Sequence, residues 1–332
     1  MAEYNGILTF CEIAEGALPS ITTEVLGCGR RLADDLGQQL SAVLIGSDAG
    51  SLAQEAIALG ADKVYVVDDP QLKEYQTDAY VAVMEKVVEQ VMPQILICGQ
   101  TSVGRDLVPM LAFRLDTMAT LDCVDLAVDP ESKLLLQTKP VYGGNALATY
   151  TCDTFPQIAT VRDKTMTSPE ADASRQGEVT SIAAGLDPSA VRAKLLKRVK
   201  EEEEGVRLEE ASIIVSGGRG IGGAEGFAQL QELAALLNGA VGASRPPCDN
   251  GWVPPNRQVG ITGKIVSPDL YIAIGLSGSI QHLSGCGQAK SIIAINKDSE
   301  ANIFNQADFG VVGDWKKVLP AFTEKLKELM PE

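Results

Sequence analysis

The sequence predicts an α/β protein of two domains, each a mainly parallel sheet with flanking helices. Three observations carry that expectation. The chain has 332 residues, against a usual domain size of roughly 100–200. Short β-rich runs alternate with helix-length stretches twice along the chain, with a charged break between the two series. An apolar fraction of 45% with 32 glycines suits strands joined to helices by tight turns.

The first series reads GILTFCEI at 6–13, SAVLIGS at 41–47, KVYVVDD at 63–69 and QILICGQ at 94–100, separated by Ala-, Leu- and Glu-rich stretches. That rhythm is one of βαβ units. Past about residue 120 the strands crowd together as LLLQTKPVYGG, ALATYTC and QIATVR. With no helix-length gap between them, they are expected as antiparallel additions to the same sheet, and the first domain would then end near residue 165. A polar stretch over 165–185 leads to a basic segment, 194–200, that runs into Glu201, Glu202, Glu203 and Glu204. The expected boundaries are an N-terminal domain over 1–193, a charged linker over 194–210 and a C-terminal domain over 211–332. Blocks of like charge are usually solvated connectors; the other reading is a hinge.

The second series starts with ASIIVSGG at 211–218 and a helical run from Ala224 to Asn238, closed by Gly239. Phe227, Leu230, Leu233, Ala234 and Leu237 form its apolar face, and Asn238-Gly239 is a good left-handed stop. AVGAS at 240–244, LYIAIG at 270–275, SIIAIN at 291–296, FGVVG at 309–313 and an amphipathic helix from Trp315 complete a doubly wound domain.

A formal net charge of −16 repels polyanions, which argues against nucleic acid and against anionic membrane surfaces as partners. The seven cysteines include no C-x-x-C pair, so neither a disulfide framework nor a thiolate metal site is spelled out. The amino terminus lacks a basic segment followed by an apolar run, and no later segment is apolar for long enough to span a bilayer. A cytoplasmic protein without membrane insertion and without a metal is expected.

Candidate chemistry lies in the second half. Gly218, Gly220 and Gly223 follow a predicted strand and open a predicted helix, the setting in which G-x-G-x-x-G amides hold a diphosphate. Close strand–helix packing gives the same pattern. About 20 residues on, a dinucleotide site of the NAD type places a carboxylate for the ribose. Ala243-Ser244-Arg245 stands there instead, which counts against an ordinary nicotinamide dehydrogenase. The run LYIAIGLSGSIQH at 270–282 delivers the one histidine of the chain, His282; a lone histidine is more often structural than functional. The loop QVGITGK at 258–264 is small and polar enough to lie against a flat ligand. Amides, an arginine, a threonine and a histidine converging without an acid–base pair suit a cofactor that brings its own chemistry.

At this point the residues resemble a family. LYIAIGLSGSIQHLSG at 270–285, followed by IIAIN at 292–296, is similar to the signature of the alpha (large) subunit of electron-transfer flavoproteins. The similarity continues through SGGRG, VGASR, QVGITGK and ADFGVVGD, and more weakly through Gly104-Arg105-Asp106-Leu107, Gly144-Asn145-Ala146 and Thr160-Val161-Arg162. The resemblance implies that the second domain binds FAD. Arg219, Ser244, Ser277, Gly278, Ser279, Ile280, Gln281, His282, Asn296 and Asp314 match positions that hold its phosphates, ribityl chain and adenosine; Gln258, Val259, Gly260, Ile261 and Trp315 complete the set. Arg245 would lie against the isoalloxazine, Thr262 near N5, and His282 near the N1/O2 edge, where positive or donor character stabilises negative charge on reduced flavin. Ile261 departs from the polar residue expected in mitochondrial-type members.

The resemblance further implies a small (beta) partner subunit docked on the first domain, an acyl-CoA dehydrogenase as electron partner, and no catalytic residue of the chain's own. Members are plain carriers or anaerobic bifurcating forms fed by NADH through a second FAD on the small subunit; the bifurcating form is the one favoured. The second domain would swing on the 194–210 connector. Rival readings are an NAD-dependent oxidoreductase built on the Gly218 loop and a non-redox adenine-nucleotide-binding module.

Overall fold

The computed structural model of the chain describes residues 4–144, 146–187, 191, 193, 195–197 and 206–329. The chain divides into two compact units, one of residues 1–141 and 146–199, the other of 142–145 and 200–332. The centre of the charged 194–210 connector, with its run of glutamates, lies outside the described residues, and so does the expected hinge.

In the first unit the predicted alternation is present as β1 (Ile7–Cys11), α1 (Ser20–Leu36), β2 (Leu40–Gly46), α2 (Ala53–Ala58), β3 (Lys63–Asp68), α3 (Thr77–Val91), β4 (Ile95–Gly99) and α4 (Ser102–Arg114). Then follow β5 (Ala119–Cys123), β6 (Asp125–Val128), β7 (Leu135–Val141), β8 (Ala146–Tyr150), β9 (Gln157–Val161) and β10 (Glu178–Ser181). Seven strands form one sheet in the order β10-β3-β2-β1-β4-β9-β5, and every pairing in it is parallel. Both faces are covered, so strand residues alternate between two cores: Ile7, Leu44 and Ile97 pack on the α1 side, Leu8, Val43 and Leu96 on the α3–α4 side. Near-continuous apolar strands are the sequence consequence of that two-sided burial.

Two expectations are corrected here. The crowded strands are not antiparallel additions to the main sheet: β6, β7 and β8 form a separate antiparallel sheet, whereas β9 inserts parallel between β4 and β5. Nor does the first domain end near residue 165, because β10 pairs with the outer edge of β3. The chain reaches that edge as a strap over α1, held by the Glu24 carboxylate, which accepts from the amides of Lys164 (3.0 Å) and Met166 (3.1 Å). Asp62 then pins the far end by accepting from Arg30 (2.8 Å) and Arg175 (2.6 Å).

The second unit contains β11 (Ile213–Gly217), α5 (Ala224–Leu236), β12 (Ala240–Ala243), α6 (Arg245–Asp249), β13 (Leu270–Ile274), α7 (Ile280–Cys286), β14 (Ser291–Asn296), β15 (Phe309–Val312) and α8 (Trp315–Leu329). The sheet order is β12-β11-β13-β14-β15, all parallel. α5 ends as the sequence requires: Asn238 takes a φ of 50° and Gly239 donates to the Ala234 carbonyl at 2.8 Å. Ile272 and Ile274 of β13 face the α5–α8 side, Tyr271 and Ala273 the side that carries α7. Among the described residues no helix is long and apolar enough to cross a membrane, and no group of three or more His, Cys, Asp or Glu is placed to hold a metal ion. All seven cysteines are buried thiols.

One buried carboxyl in the first unit gives a pH test. Glu12, at the end of β1, accepts from the Thr101 hydroxyl at 2.6 Å, but burial dominates and raises it to about 7 from 4.5. The folded chain therefore keeps a proton between pH 4.5 and 7 that the unfolded chain releases, so this group makes stability fall as pH rises through that window. Glu12→Gln retains the Thr101 bond and removes the dependence. At pH 8 it is expected to stabilise the first unit by on the order of 3 kcal/mol, with no change at pH 4, as measured by urea denaturation followed by circular dichroism.

Candidate functional site

The site begins where β11 and β13 end side by side. The chain leaves β11 toward α5 on one face and leaves β13 toward α7 on the other, so a crevice opens at the carboxyl ends of the strands, where open α/β sheets bind ligands. The turn after β11 crosses the end of β13 in backbone contact. A Cβ on Gly218 would stand 2.2 Å from the Gly275 carbonyl oxygen, and one on Gly220 would stand 2.9 Å from it. Gly218 N–H donates to Ile274 at 2.9 Å, Gly220 N–H to Gly275 at 3.1 Å, Ile221 N–H to Gly218 and Gly222 N–H to Arg219. Of the two readings of the glycines, close packing is the one seen at Gly218 and Gly220, whose amides are already engaged inside the turn. The indole of Trp315 donates to the Gly220 carbonyl at 3.1 Å and holds the turn from below.

The crevice has a volume of about 630 Å³, within the ~300–1,000 Å³ of small-molecule sites. Of the predicted residues, Arg219, Ser244, Arg245, Gln258, Val259, Gly260, Ile261, Thr262, Ser277, Gly278, Ser279, Gln281, His282 and Asn296 line it together. Ile280, Asp314 and Trp315 are not on the lining. Ile280 opens α7 with its side chain 57% exposed. Asp314 accepts from the Lys316 amide and starts α8, and Trp315 is buried beneath the turn. Sequence reasoning missed Lys297, Asp298 and Leu276 on the lining. The first two follow Asn296 at the end of β14, one strand beyond the switch point, and that position was the available signal.

The loop at 258–264 forms one wall because the backbone closes it on itself. Lys264 N–H donates to Gln258 (2.7 Å), Gly260 N–H to Lys264 (3.1 Å), and Val259 N–H to Ala243 at the end of β12 (2.8 Å). Ile261 N–H donates to the Gln281 carbonyl at 2.9 Å, fastening the loop to α7. The Gln258 amide donates to the Thr262 hydroxyl at 2.9 Å. Asn296 fixes the opposite wall, donating to the Leu276 carbonyl at 2.7 Å and accepting from the Asp298 amide. Arg245, at the start of α6, stays exposed and pairs with Asp249 at 3.1 Å.

His282 is 4% exposed. Its Nδ1 lies 3.0 Å from the Val259 carbonyl oxygen and its Nε2 lies 2.9 Å from the Tyr271 hydroxyl. A carbonyl only accepts, so Nδ1 carries the proton and Nε2 accepts from Tyr271. Burial lowers the imidazole to about 4 from 6.5. Desolvation outweighs the one bond that favours the charged form, so the imidazole is held neutral, with protein partners on both ring nitrogens.

The lining fits FAD. Three cations, Arg219, Arg245 and Lys297, stand against one carboxylate, Asp298, in a chain of net charge −16, a local reversal that suits a diphosphate. Gly260 and Gly278 give two stretches of wall without side chains, and Ser244, Ser277, Ser279 and Thr262 supply hydroxyls. Fold and crevice together define a nucleotide-cofactor-binding α/β protein. The electron transfer flavoprotein domain matches residues 7–187 and the electron transfer flavoprotein FAD-binding domain matches residues 207–287. The chain is 47% identical to the electron transfer flavoprotein subunit alpha of Thermoanaerobacterium thermosaccharolyticum, over 99% of this chain and 100% of that one. It is 46% identical to the same subunit of Megasphaera elsdenii (99% and 98%) and 45% identical to that of Bacillus subtilis (97% and 98%). The chain belongs to the electron transfer flavoprotein alpha-subunit family, and its cofactor is FAD.

Gly260 tests the wall. Its φ is 142°, and a Cβ there would meet the Gln281 carbonyl oxygen at 2.8 Å. Gly260→Ala is expected to lower the stability of the second unit by about 2 kcal/mol. The chain's two tryptophans, Trp252 and Trp315, both belong to this unit, so fluorescence-monitored denaturation reads the change directly.

Proposed function

We propose that this chain is the FAD-carrying half of a two-subunit electron carrier, receiving electrons from an acyl-CoA dehydrogenase or from NADH and passing them to a separate acceptor. The observation that carries the reading is the composition of the crevice: cations, hydroxyls and amides, with its one histidine held neutral and no acid–base pair on the lining. Such a wall binds and orients, and the bound FAD supplies the redox chemistry. Arg219 and Lys297 are assigned to the diphosphate and its surroundings, Ser244, Ser277 and Ser279 to its polar chain, and Arg245 with the Gln258 to Thr262 loop and His282 to the flavin ring. The Ser244-Arg245 pair in place of a carboxylate supports FAD over NAD as the resident cofactor.

The acyl-CoA side rests on a relative named the acryloyl-CoA reductase electron transfer subunit beta of Anaerotignum propionicum, 39% identical over 98% of this chain and 96% of that one. The first unit is assigned to docking the small beta subunit. Met110 and Phe113, three residues apart on α4, and Met118 just beyond it stay exposed, Phe113 by 84%; exposed apolar anchors of this kind mark interfaces. The favoured version is bifurcating, with a second FAD on the small subunit.

Two measurements test this. Counting flavin released from the purified heterodimer should give two FAD per complex; one FAD would leave a plain carrier, and none would remove the reading. Arg219→Ala is expected to weaken FAD retention about tenfold, the loss of one charge-assisted contact, with the tryptophan-monitored stability of the apoprotein unchanged.

A further inference from the structure

β13 points Tyr271 into the layer that carries α7, and the hydroxyl ends against His282. Tyr271 is fully buried, as is Ser216 on the adjacent β11. Ser216 Oγ stands within reach of the Tyr271 hydroxyl, yet makes no hydrogen bond of standard geometry. A phenolic hydroxyl donates one proton and also accepts. Here it donates to Nε2 of His282 at 2.9 Å, and the unpartnered serine oxygen is a second place for its hydrogen.

We propose that Tyr271 is a positioning residue for the flavin wall, a reversible hydrogen-bond partner that fixes His282 as the Nδ1–H tautomer and lets it accept a proton without losing a bond. In the neutral state the order is Tyr271 O–H to Nε2, with Nδ1–H to the Val259 carbonyl. When a proton arrives on Nε2, the direction reverses: Nε2–H donates to the Tyr271 oxygen, and the phenol hydrogen turns toward Ser216 Oγ. Both charge states keep two partners on the imidazole. The groups facing the ring are Tyr271 on β13 and Cys286 on its own helix, whose thiol lies 3.6 Å from the His282 carbonyl oxygen and also meets the Tyr271 hydroxyl. Both are pushed upward by burial, Cys286 to about 12 and Tyr271 well above its ordinary value, so neither brings a charge. No charged side chain contributes to the lowering of His282; desolvation does. At pH 7, negative charge entering the crevice would draw a proton onto the ring, and Tyr271 decides how readily it comes.

The placement of this ring against a flavin rests on the function proposed above; the tyrosine–histidine chain does not. The experiment separates the two. His282 is the single histidine of the chain, so labelling this chain alone with ¹⁵N-histidine, in complex with its unlabelled small subunit, gives one imidazole spectrum. The expected result is an Nδ1–H tautomer at pH 7 that titrates well below the ordinary histidine range. Tyr271→Phe should move the midpoint about one pH unit lower still, because the charge-assisted bond it removes from the protonated ring is about twice as strong as the neutral one. Ser216→Ala should move it in the same direction by less. A proton on Nε2 at pH 7, an ordinary histidine midpoint, or a midpoint unmoved by Tyr271→Phe would overturn the proposal. If Tyr271→Phe fails to fold, the wild-type tautomer and the Ser216→Ala shift still decide it. With FAD bound, Tyr271→Phe should also make the flavin harder to reduce at pH 7. A complex that holds no FAD would sink the flavin reading and leave the tautomer result standing.

Discussion

The second unit depends on one contact, the crossing of backbone on backbone where the turn after β11 passes the end of β13. With Cβ positions 2.2 and 2.9 Å from a carbonyl oxygen, Gly218 and Gly220 leave no room for a side chain. Two amide–carbonyl bonds then tie the turn to Ile274 and Gly275. With the turn held down, the loop at 275–279 packs between it and Ile303, whose amide donates to the Ser277 carbonyl, and the chain leaves the two strands toward opposite faces. The crevice is the gap between them. A bulkier turn would lift α5 off the sheet and take the Trp315 anchor with it.

The fold was readable wherever burial left a periodic trace. Strands covered on both faces must be apolar throughout, so β1 to β4 and β11 to β14 stand out as runs and the parallel sheets follow. The failures lie where that rule lapses. β10 is Glu178-Val-Thr-Ser181, a four-residue polar strand at a sheet edge, largely exposed, and its existence depends on the Glu24 strap many residues away. β9 looked like the third member of a meander because sequence spacing cannot show that a parallel slot between β4 and β5 was left open for it.

The site was legible to a similar depth and for a different reason. Small residues and turn-formers after four strand ends mark where a crevice must be, and the family resemblance named most of the residues that line it. Asp314 and Trp315 belong to the same similar segment, yet serve as the start and anchor of α8. Lys297 and Asp298 were overlooked because an exposed Lys-Asp pair in a turn is common and carries no periodic signal. The state of His282 was beyond reach, since it depends on Tyr271 and Val259 meeting it from two other elements.

That division of charge suits a carrier. Arg219 and Lys297, permanent cations on the lining, suit the part of the cofactor whose charge never changes, its diphosphate. A permanent cation buried against the ring would bind the reduced and oxidised forms unequally at all times and would fix the potential in one place. A neutral, hydrogen-bonded imidazole contributes little until charge appears beside it. At an effective dielectric near 20, a unit charge about 4 Å away is worth roughly 4 kcal/mol, more than the ~3 kcal/mol that burial imposes on protonating His282. On the proposed placement beside the flavin, that balance is close enough for the ring to respond to reduction. A binding charge and a responsive group therefore have to be different residues in different surroundings: exposed cations such as Arg219 and Lys297, and a histidine shut away from solvent.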